Sequence, residues 1–430
     1  MSATLAVFLG AFLGLMLLGL PVAWSMASAT FIWIAVTGQW NFLPFLPERI
    51  FQGMNVFVLM ALPLFLLAGE LINEGGITQR LVALANLAFG WMRGGLAQVA
   101  IGTSILFAGI TSIALGDIAA LGKVFVPTMV AQGYTRAYAA AVIAASSIIG
   151  PLIPPSLIVV LYGSMTGVSI GALFASCIVP GLLIGLAQMI LVAIQARRYN
   201  FPRAEADRAP AAFVRATGAA AVPLMIPVII LAGILGGIMT PTEAGAAAAF
   251  YAFVLATVVY RTVKPKDLPP IFSRSMQFSA QLLIIVGCGA MFSWVMGMEN
   301  VPGMLQNLIE RQKMTSGDTM FAFNILLLIV GMFLDAPAAL ILFAPILNVA
   351  ATSVGINPVH FGAVMILNLN IGLLTPPVGF CLFAAERIAG CGMPALIRAI
   401  TPFLGVNMIA LALISYFPQF TLWLPRVLGF

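Results

Sequence analysis

Apolar positions in this chain neither alternate with polar ones nor keep to one helical face. They run on continuously over residues 5–36, 56–72, 96–115, 171–196, 219–260, 282–298, 321–334 and 401–424, with Pro21 and Pro241 interrupting the first and fifth runs. A helix of about 20 such residues crosses the roughly 30 Å of a bilayer's hydrocarbon, so the pattern predicts on the order of ten to twelve spans. A membrane β-barrel would instead show short alternating segments, which excludes that architecture. Residues 76–93 and 301–313 are more mixed and carry charges at their ends, the pattern of helices lying along the membrane interface.

Composition agrees. Of 430 residues, 62% are hydrophobic and 7% charged, against about 25% charged in a soluble domain. The net charge of +6 comes from 19 Lys and Arg against 13 Asp and Glu. Many of the cations fall in two runs, Arg197, Arg198, Arg203, Arg208 and Arg215, then Arg261, Lys264, Lys266 and Arg274. Such runs mark cytoplasmic loops of a membrane protein rather than a nucleic-acid surface. Cys177, Cys288, Cys381 and Cys391 lie scattered in apolar surroundings, with no spacing for a disulfide framework or a zinc site. No Lys or Arg precedes Arg49, so the N-terminal run reads as a first membrane helix rather than a cleaved signal peptide.

Internal repetition is the most informative feature. Ile149-Gly150-Pro151-Leu152-Ile153-Pro154-Pro155 and Ile371-Gly372-Leu373-Leu374-Thr375-Pro376-Pro377 share I-G-x-L-x-P-P. Pro21 and Pro241, Asp117 and Asp335, Pro127 and Pro345, and Pro180 and Pro402 recur at nearly the same offset. The expected organisation is a first repeat over 1–200, a basic linker over 201–216, and a second repeat over 217–430. Matching Gly/Pro interruptions in duplicated apolar halves point to a secondary transporter with its binding site at the interruptions.

Paired prolines remove N–H donors and force the chain out of helix, so each interruption predicts two half-depth helices meeting at an unwound tip. These are expected as re-entrant hairpins at about 138–165 and 360–387. Backbone unwound at membrane depth is tolerated only inside protein or beside a watery cavity. Carbonyls left free near Ser147, Gly150 and Pro154, and near Asn370, Gly372 and Thr375 in the copy, suit a hard cation such as Na⁺. The N-terminus of the second arm, opening at Ser156, suits a carboxylate. A basic turn, Gly133-Tyr134-Thr135-Arg136, precedes the first interruption, and Ser353 to Pro358, without Lys or Arg, precedes the second. That asymmetry predicts entry from opposite faces and hence inverted repeats.

Among the few acids, Asp117 and Asp335 are matched and border apolar runs, and intramembrane acids are functional candidates by default. Asp117 also reads as an N-cap before residues 118–130. Thr240-Pro241-Thr242-Glu243 has the layout of a capping box with proline at the first helical position. His360, the only histidine, leaves no metal cluster or catalytic triad available and reads as a hydrogen-bonding residue rather than a proton carrier. No G-x-x-x-x-G-K-[ST] loop is present, so the chain itself is not expected to hydrolyse ATP. An intramembrane aspartyl protease built on Asp117 and Asp335 is a remote alternative, since it explains neither the duplication nor the paired prolines.

Several motifs together resemble a known family. They are Ala61-Leu62-Pro63-Leu64-Phe65 with Gly69-Glu70, Gly237-Ile238-Met239-Thr240-Pro241-Thr242-Glu243-Ala244, Ile153-Pro154-Pro155-Ser156, Gly331-Met332-Phe333-Leu334-Asp335, and His360-Phe361-Gly362 leading to Leu374-Thr375-Pro376-Pro377-Val378-Gly379. In this order they resemble the large, DctM-like membrane subunit of tripartite ATP-independent periplasmic (TRAP) transporters, across essentially the whole chain. The resemblance implies an all-α polytopic protein of the bacterial inner membrane, built from two inverted repeats with re-entrant helical hairpins and working as an elevator-type, ion-transporter-like carrier. It implies Na⁺-coupled import of a small organic acid with no organic cofactor. A small DctQ-like membrane subunit and a periplasmic DctP-like binding protein would be its partners. Carried over by position, substrate contacts fall on Thr111, Ser112, Ser156 and Asp335. Where the family often has Ser-Gly-Ser, this chain has Thr111-Ser112-Ile113. A stand-alone divalent-anion/Na⁺ symporter is the alternative that needs no partners.

Overall fold

Glycines and prolines cut the apolar runs into helices. The computed structural model describes residues 3–111, 113–199, 201 and 210–430, with the side chains of 110, 111 and 210–215 outside the description. The first half contains α1 (Ala3–Leu17), α2 (Val22–Thr37), α3 (Leu46–Met54), α4 (Ala61–Glu74), α5 (Ile77–Phe89), α6 (Gly95–Thr111), α7 (Ala114–Ala131), α8 (Arg136–Ser147), α9 (Leu157–Thr166) and α10 (Ile170–Tyr199). The second contains α11 (Pro210–Leu235), α12 (Pro241–Val254), α13 (Leu268–Met298), α14 (Val301–Arg311), α15 (Ser316–Phe333), α16 (Ala336–Ser353), α17 (Pro358–Gly372), α18 (Phe380–Ala389), α19 (Met393–Tyr416) and α20 (Gln419–Val427). Among the described residues there is no strand, and nine helical stretches are long and apolar enough to cross a membrane.

Local signals set the boundaries. Thr240 and Glu243 form the reciprocal capping box that starts α12. Thr135 caps α8 by accepting from Tyr138 N–H, and Asn357 caps α17 by accepting from Val359 and His360 N–H. Asp335 is the N-cap residue of α16. Asp117 departs from the N-cap expectation: Ile113 holds that position, and Asp117 lies a turn inside α7, fully buried. His360 is buried, its Nδ1 2.7 Å from Thr421 Oγ1 and its Nε2 3.1 Å from the Ser415 carbonyl. The Thr421 hydroxyl also donates to the Pro418 carbonyl at 3.0 Å, so the ring ties α17 to the end of α19 and to α20.

The helical hairpins lie elsewhere than expected. Arms of a hairpin pack side by side, yet α8 and α9 barely touch, and the same holds for α17 and α18. Instead α8 and α9 follow one another along α10. Tyr138 hydrogen-bonds Gln195 and Gln188 bonds the Ala145 carbonyl, Ile153 lies against Gly181, and Gly163 lies against Ile170. Each step forward along the broken segment meets an equal step back along α10, from Gln195 to Ile170. The segment 136–166 is therefore one discontinuous helix, antiparallel to its neighbour. The pairs that do close as hairpins are α6 with α7, and α15 with α16, which pack together across turns of only a few residues. Consecutive prolines force unwinding but leave the exit direction open; the long antiparallel helix decides it.

Packing follows an exchange pattern. As α7 packs on α18, α16 packs on α9; as α8 packs on α19, α17 packs on α10; and α10 packs on α19. The helices from α6 to α10 and from α15 to α20 form one bundle. A second is built from α1 to α4 with α12 and α13, and α11 lies against α12 at its edge. The short amphipathic helices α5 and α14 join the two, α5 resting on α6 and α14 on α16.

Candidate functional site

The two bundles leave a cavity of about 520 Å³ between them. One wall is scaffold-like: Leu66 and Glu70 of α4 face it, with Arg274, Gln277, Phe278, Gln281 and Leu282 of α13. The other wall gathers both hairpin tips, Ile113 to Gly116 and Asp335 to Pro337, with Pro151 and Leu157 from the first broken helix and Asn370 and Leu373 from the second. Apolar side chains dominate, and a few convergent polar groups are set among them, the usual composition of a small-molecule site.

Around the first break, α8 ends at Ser147 and α9 begins after its N-cap, Ser156. At these two facing helix ends, free carbonyls and N–H groups carry opposite partial charge. Gly150 N–H bends back to the Ser147 carbonyl at 3.3 Å. The space a side chain would need at Gly150 is taken by the Asp117 carboxylate, with the Ser147 carbonyl beside it. Asp117 and Ser147 thus meet Gly150 in one oxygen-rich spot, with the buried Cys381 of α18 beside Ser147 and Asp117. The Ser147 hydroxyl donates to the Ala144 carbonyl at 2.8 Å. The Pro154 carbonyl turns away from this cluster toward Gly109 of α6.

In the second half the break is held differently. The Asn370 amide donates to the Ile366 carbonyl at 2.8 Å, and its Oδ1 is buried with no hydrogen bond among the described residues. A buried, unpartnered amide oxygen on a cavity wall is a ready ligand for a hard cation. Gly372 lies backbone to backbone against Gly331 of α15, where a side chain on Gly372 would come within 2.6 Å of the Gly331 Cα. The Thr375 hydroxyl donates to the Ile371 carbonyl at 2.9 Å.

Of the substrate contacts drawn from the resemblance, Asp335 lines the cavity. Ser112 lies outside the described residues, as does the side chain of Thr111, the last residue of α6. Ser156 does not line the cavity. Its hydroxyl donates to the Pro151 carbonyl and accepts from Val159 N–H, so it closes the unwound turn and caps α9. Sequence reasoning missed the α13 wall. Arg274 looked like the last member of a loop's basic run, whereas it stands inside a helix whose cavity face continues through Gln277 and Gln281.

Discontinuous helices beside hairpin tips, facing a cleft between two helical bundles, define a membrane permease. The chain belongs to the family described as "Tripartite ATP-independent periplasmic transporter, DctM component", whose model matches residues 9–420. It is 36% identical over 422 residues to the sialic acid TRAP transporter large permease protein SiaM of Vibrio cholerae, covering 96% of this chain and 97% of that one. It is 34% identical to the C4-dicarboxylate TRAP transporter large permease protein DctM of Pseudomonas aeruginosa, covering 92% and 94%. To the isethionate TRAP transporter permease protein DctMQ of Oleidesulfovibrio alaskensis it is 35% identical, spanning 96% of this chain and 65% of that longer one. Two solved transporters share the fold at low identity. Neisseria gonorrhoeae MtrF matches with a TM-score of 0.65 at 13% identity, over 91% of this chain and 85% of its own. Alcanivorax borkumensis YdaH matches with 0.66 at 12%, over 90% of each.

The protein is thus the large permease component of a tripartite transport system, a multi-pass protein of the inner membrane and not an enzyme. The aspartyl-protease alternative falls with that, and so does the stand-alone symporter.

Proposed function

We propose that this permease imports a small organic anion, driven by Na⁺, after a periplasmic binding protein delivers it to the complex of this chain with a small DctQ-like subunit. The observation that carries the reading is the cavity wall on which both broken helices and both hairpin tips converge. Relatives named for sialic acid, C4-dicarboxylate and isethionate transport share an anionic organic acid as the common chemistry. A carboxylate or sulfonate is the corresponding substrate group here.

Cation sites fall at the two breaks. Ser147 and Gly150 beside Asp117 form the first; the Pro154 carbonyl, turned toward Gly109, is not part of it. Asn370, Gly372 and Thr375 contribute the second, through backbone carbonyls and the Asn370 side-chain oxygen. Each bound Na⁺ would offset the negative charge of a neighbouring substrate anion. Asp335 cannot attract an anion, so it serves a hydroxyl or amide of the substrate; the hydroxyls of Thr111 and Ser112 belong to the same role. Ser156 acts by holding the turn that presents α9's N-terminus.

The two halves are inverted repeats in this reading. The basic linker and the basic loop before α13 both lie in the cytoplasm, with α11 and α12 crossing out and back between them. The first discontinuous helix then runs outward and the second inward. Substrate crosses as the bundle bearing the breaks slides against the bundle of α4 and α13, an elevator motion.

Uptake into proteoliposomes containing both membrane subunits tests this. It should require an inward sodium gradient and the loaded binding protein, and uptake indifferent to either overturns the corresponding part.

A further inference from the structure

Arg274 occupies a position that the sites above leave unexplained. Its Nε donates to Glu70 Oε2 at 3.0 Å and its Nη2 to Glu74 Oε1 at 2.6 Å. It is the only cation among the described residues lining the cavity, and Glu70 and Asp335 line it as well. An organic anion in this space therefore meets two carboxylates and one guanidinium. Two of the five guanidinium N–H groups are used by the glutamates, which leaves a donor edge suited to a planar carboxylate or a sulfonate.

Its depth adds a direction. Arg274 is the seventh residue of α13, about 9 Å along the helix from its start. The basic loop with Arg261, Lys264 and Lys266 precedes that start and fixes it on the cytoplasmic side. Gln277 and Gln281 continue inward from Arg274 on the same face, since positions three and four apart align. Asp335, Asn370, Gln281, Gln277 and Arg274 thus line one cavity, and of the α13 side chains named here Arg274 stands nearest the basic loop. The side chains of Arg274 and Glu74 are about half exposed, at 46% and 52%. Ion pairs so exposed add little stability, so little is lost when an incoming anion replaces a glutamate.

We infer that Arg274 is a release-side anion station, where the carboxylate or sulfonate of the departing organic acid takes the guanidinium in exchange for Glu70 and Glu74. The glutamates then reclaim the arginine and expel the product. This inference rests on the organic-anion reading of the cavity and adds to it a binding position on the α13 wall.

The test applies succinate, N-acetylneuraminate and isethionate to the cytoplasmic face of inside-out proteoliposomes holding the complete membrane complex, and reads half-saturation from transport currents. Arg274→Gln should raise the half-saturating concentration at least tenfold, and Arg274→Lys should raise it less. The double variant Glu70→Gln/Glu74→Gln, which frees the cation, should lower it severalfold and slow turnover. A clamp that merely ties α13 to α4 is broken by both sets of changes, so shifts in the same direction, or none, overturn the station. Wild-type protein that answers to none of the three acids from this face overturns it too. Sodium dependence of inward uptake, measured in parallel, reports separately on the coupling reading. Opposite shifts alongside sodium-independent uptake would keep the station and remove the coupling.

Discussion

The Tyr138 hydroxyl donates to Gln195 Oε1 across 2.9 Å, tying the first turn of α8 to the last third of α10. With the Gln188 amide on the Ala145 carbonyl, it fixes how the broken helix lies along its neighbour. Tyr138→Phe removes one partly buried hydrogen bond, worth about 1 kcal/mol. The expected result is a melting temperature about 1 °C lower in detergent. An unchanged melting curve would show that the register is held without this bond.

Gly372 and Gly331 meet without room for a methyl group. Gly372→Ala should push α17 from α15 at a cost of about 1–3 kcal/mol and shift the neighbouring proposed cation site with them. Transport should fall more than tenfold, and the sodium concentration for half-maximal uptake should rise. Normal sodium dependence in a folded variant would dissociate the glycine contact from the ion.

Much of this was legible in the chain. The I-G-x-L-x-P-P pair located both breaks, the 76–93 and 301–313 stretches gave α5 and α14, and Thr240 to Glu243 gave a real capping box. Helix-pair geometry was not legible. Residues 96–115 are apolar almost throughout, so the turn that divides α6 from α7 is hidden in the hydropathy pattern, while the prolines advertise their own break loudly. A hydroxyl-rich turn followed by Asp117 was the available sign that this run doubles back. Arg274 was hidden for another reason: local charge density cannot tell a loop cation from one that a helix carries into a cleft.

Ser156 is buried, and its hydroxyl joins the Pro151 carbonyl to the start of α9. Ser156→Ala removes a cap worth about 1 kcal/mol and loosens the turn that aims the N–H groups of α9. Uptake and thermal stability should both drop, whereas Ser156→Thr should retain most of each. Transport lost with stability intact would instead place the hydroxyl on the substrate.

Asp335 stands at the N-cap of α16 on the cavity wall. Asp335 makes no side-chain capping bond to α16 and asparagine matches its size and suits the N-cap position, so Asp335→Asn should leave the fold intact while cutting uptake at least tenfold. Full activity in that variant would remove the carboxylate from the site.

Gln281 lies on the cavity face of α13 and is exposed. With half-buried Cys391 replaced by serine, a cysteine at position 281 should react with a membrane-impermeant maleimide from the cytoplasmic face. Added substrate should slow the reaction. Labelling from the periplasmic face alone would reverse the orientation drawn from the basic loops.

Two short rods, α5 of 13 residues and α14 of 11, carry the chain from α4 to α6 and from α13 to α15. At 1.5 Å per residue they are about 20 and 17 Å long. Under the elevator motion proposed above, these two struts would pivot with the bundles, and their reach would bound the length of the stroke.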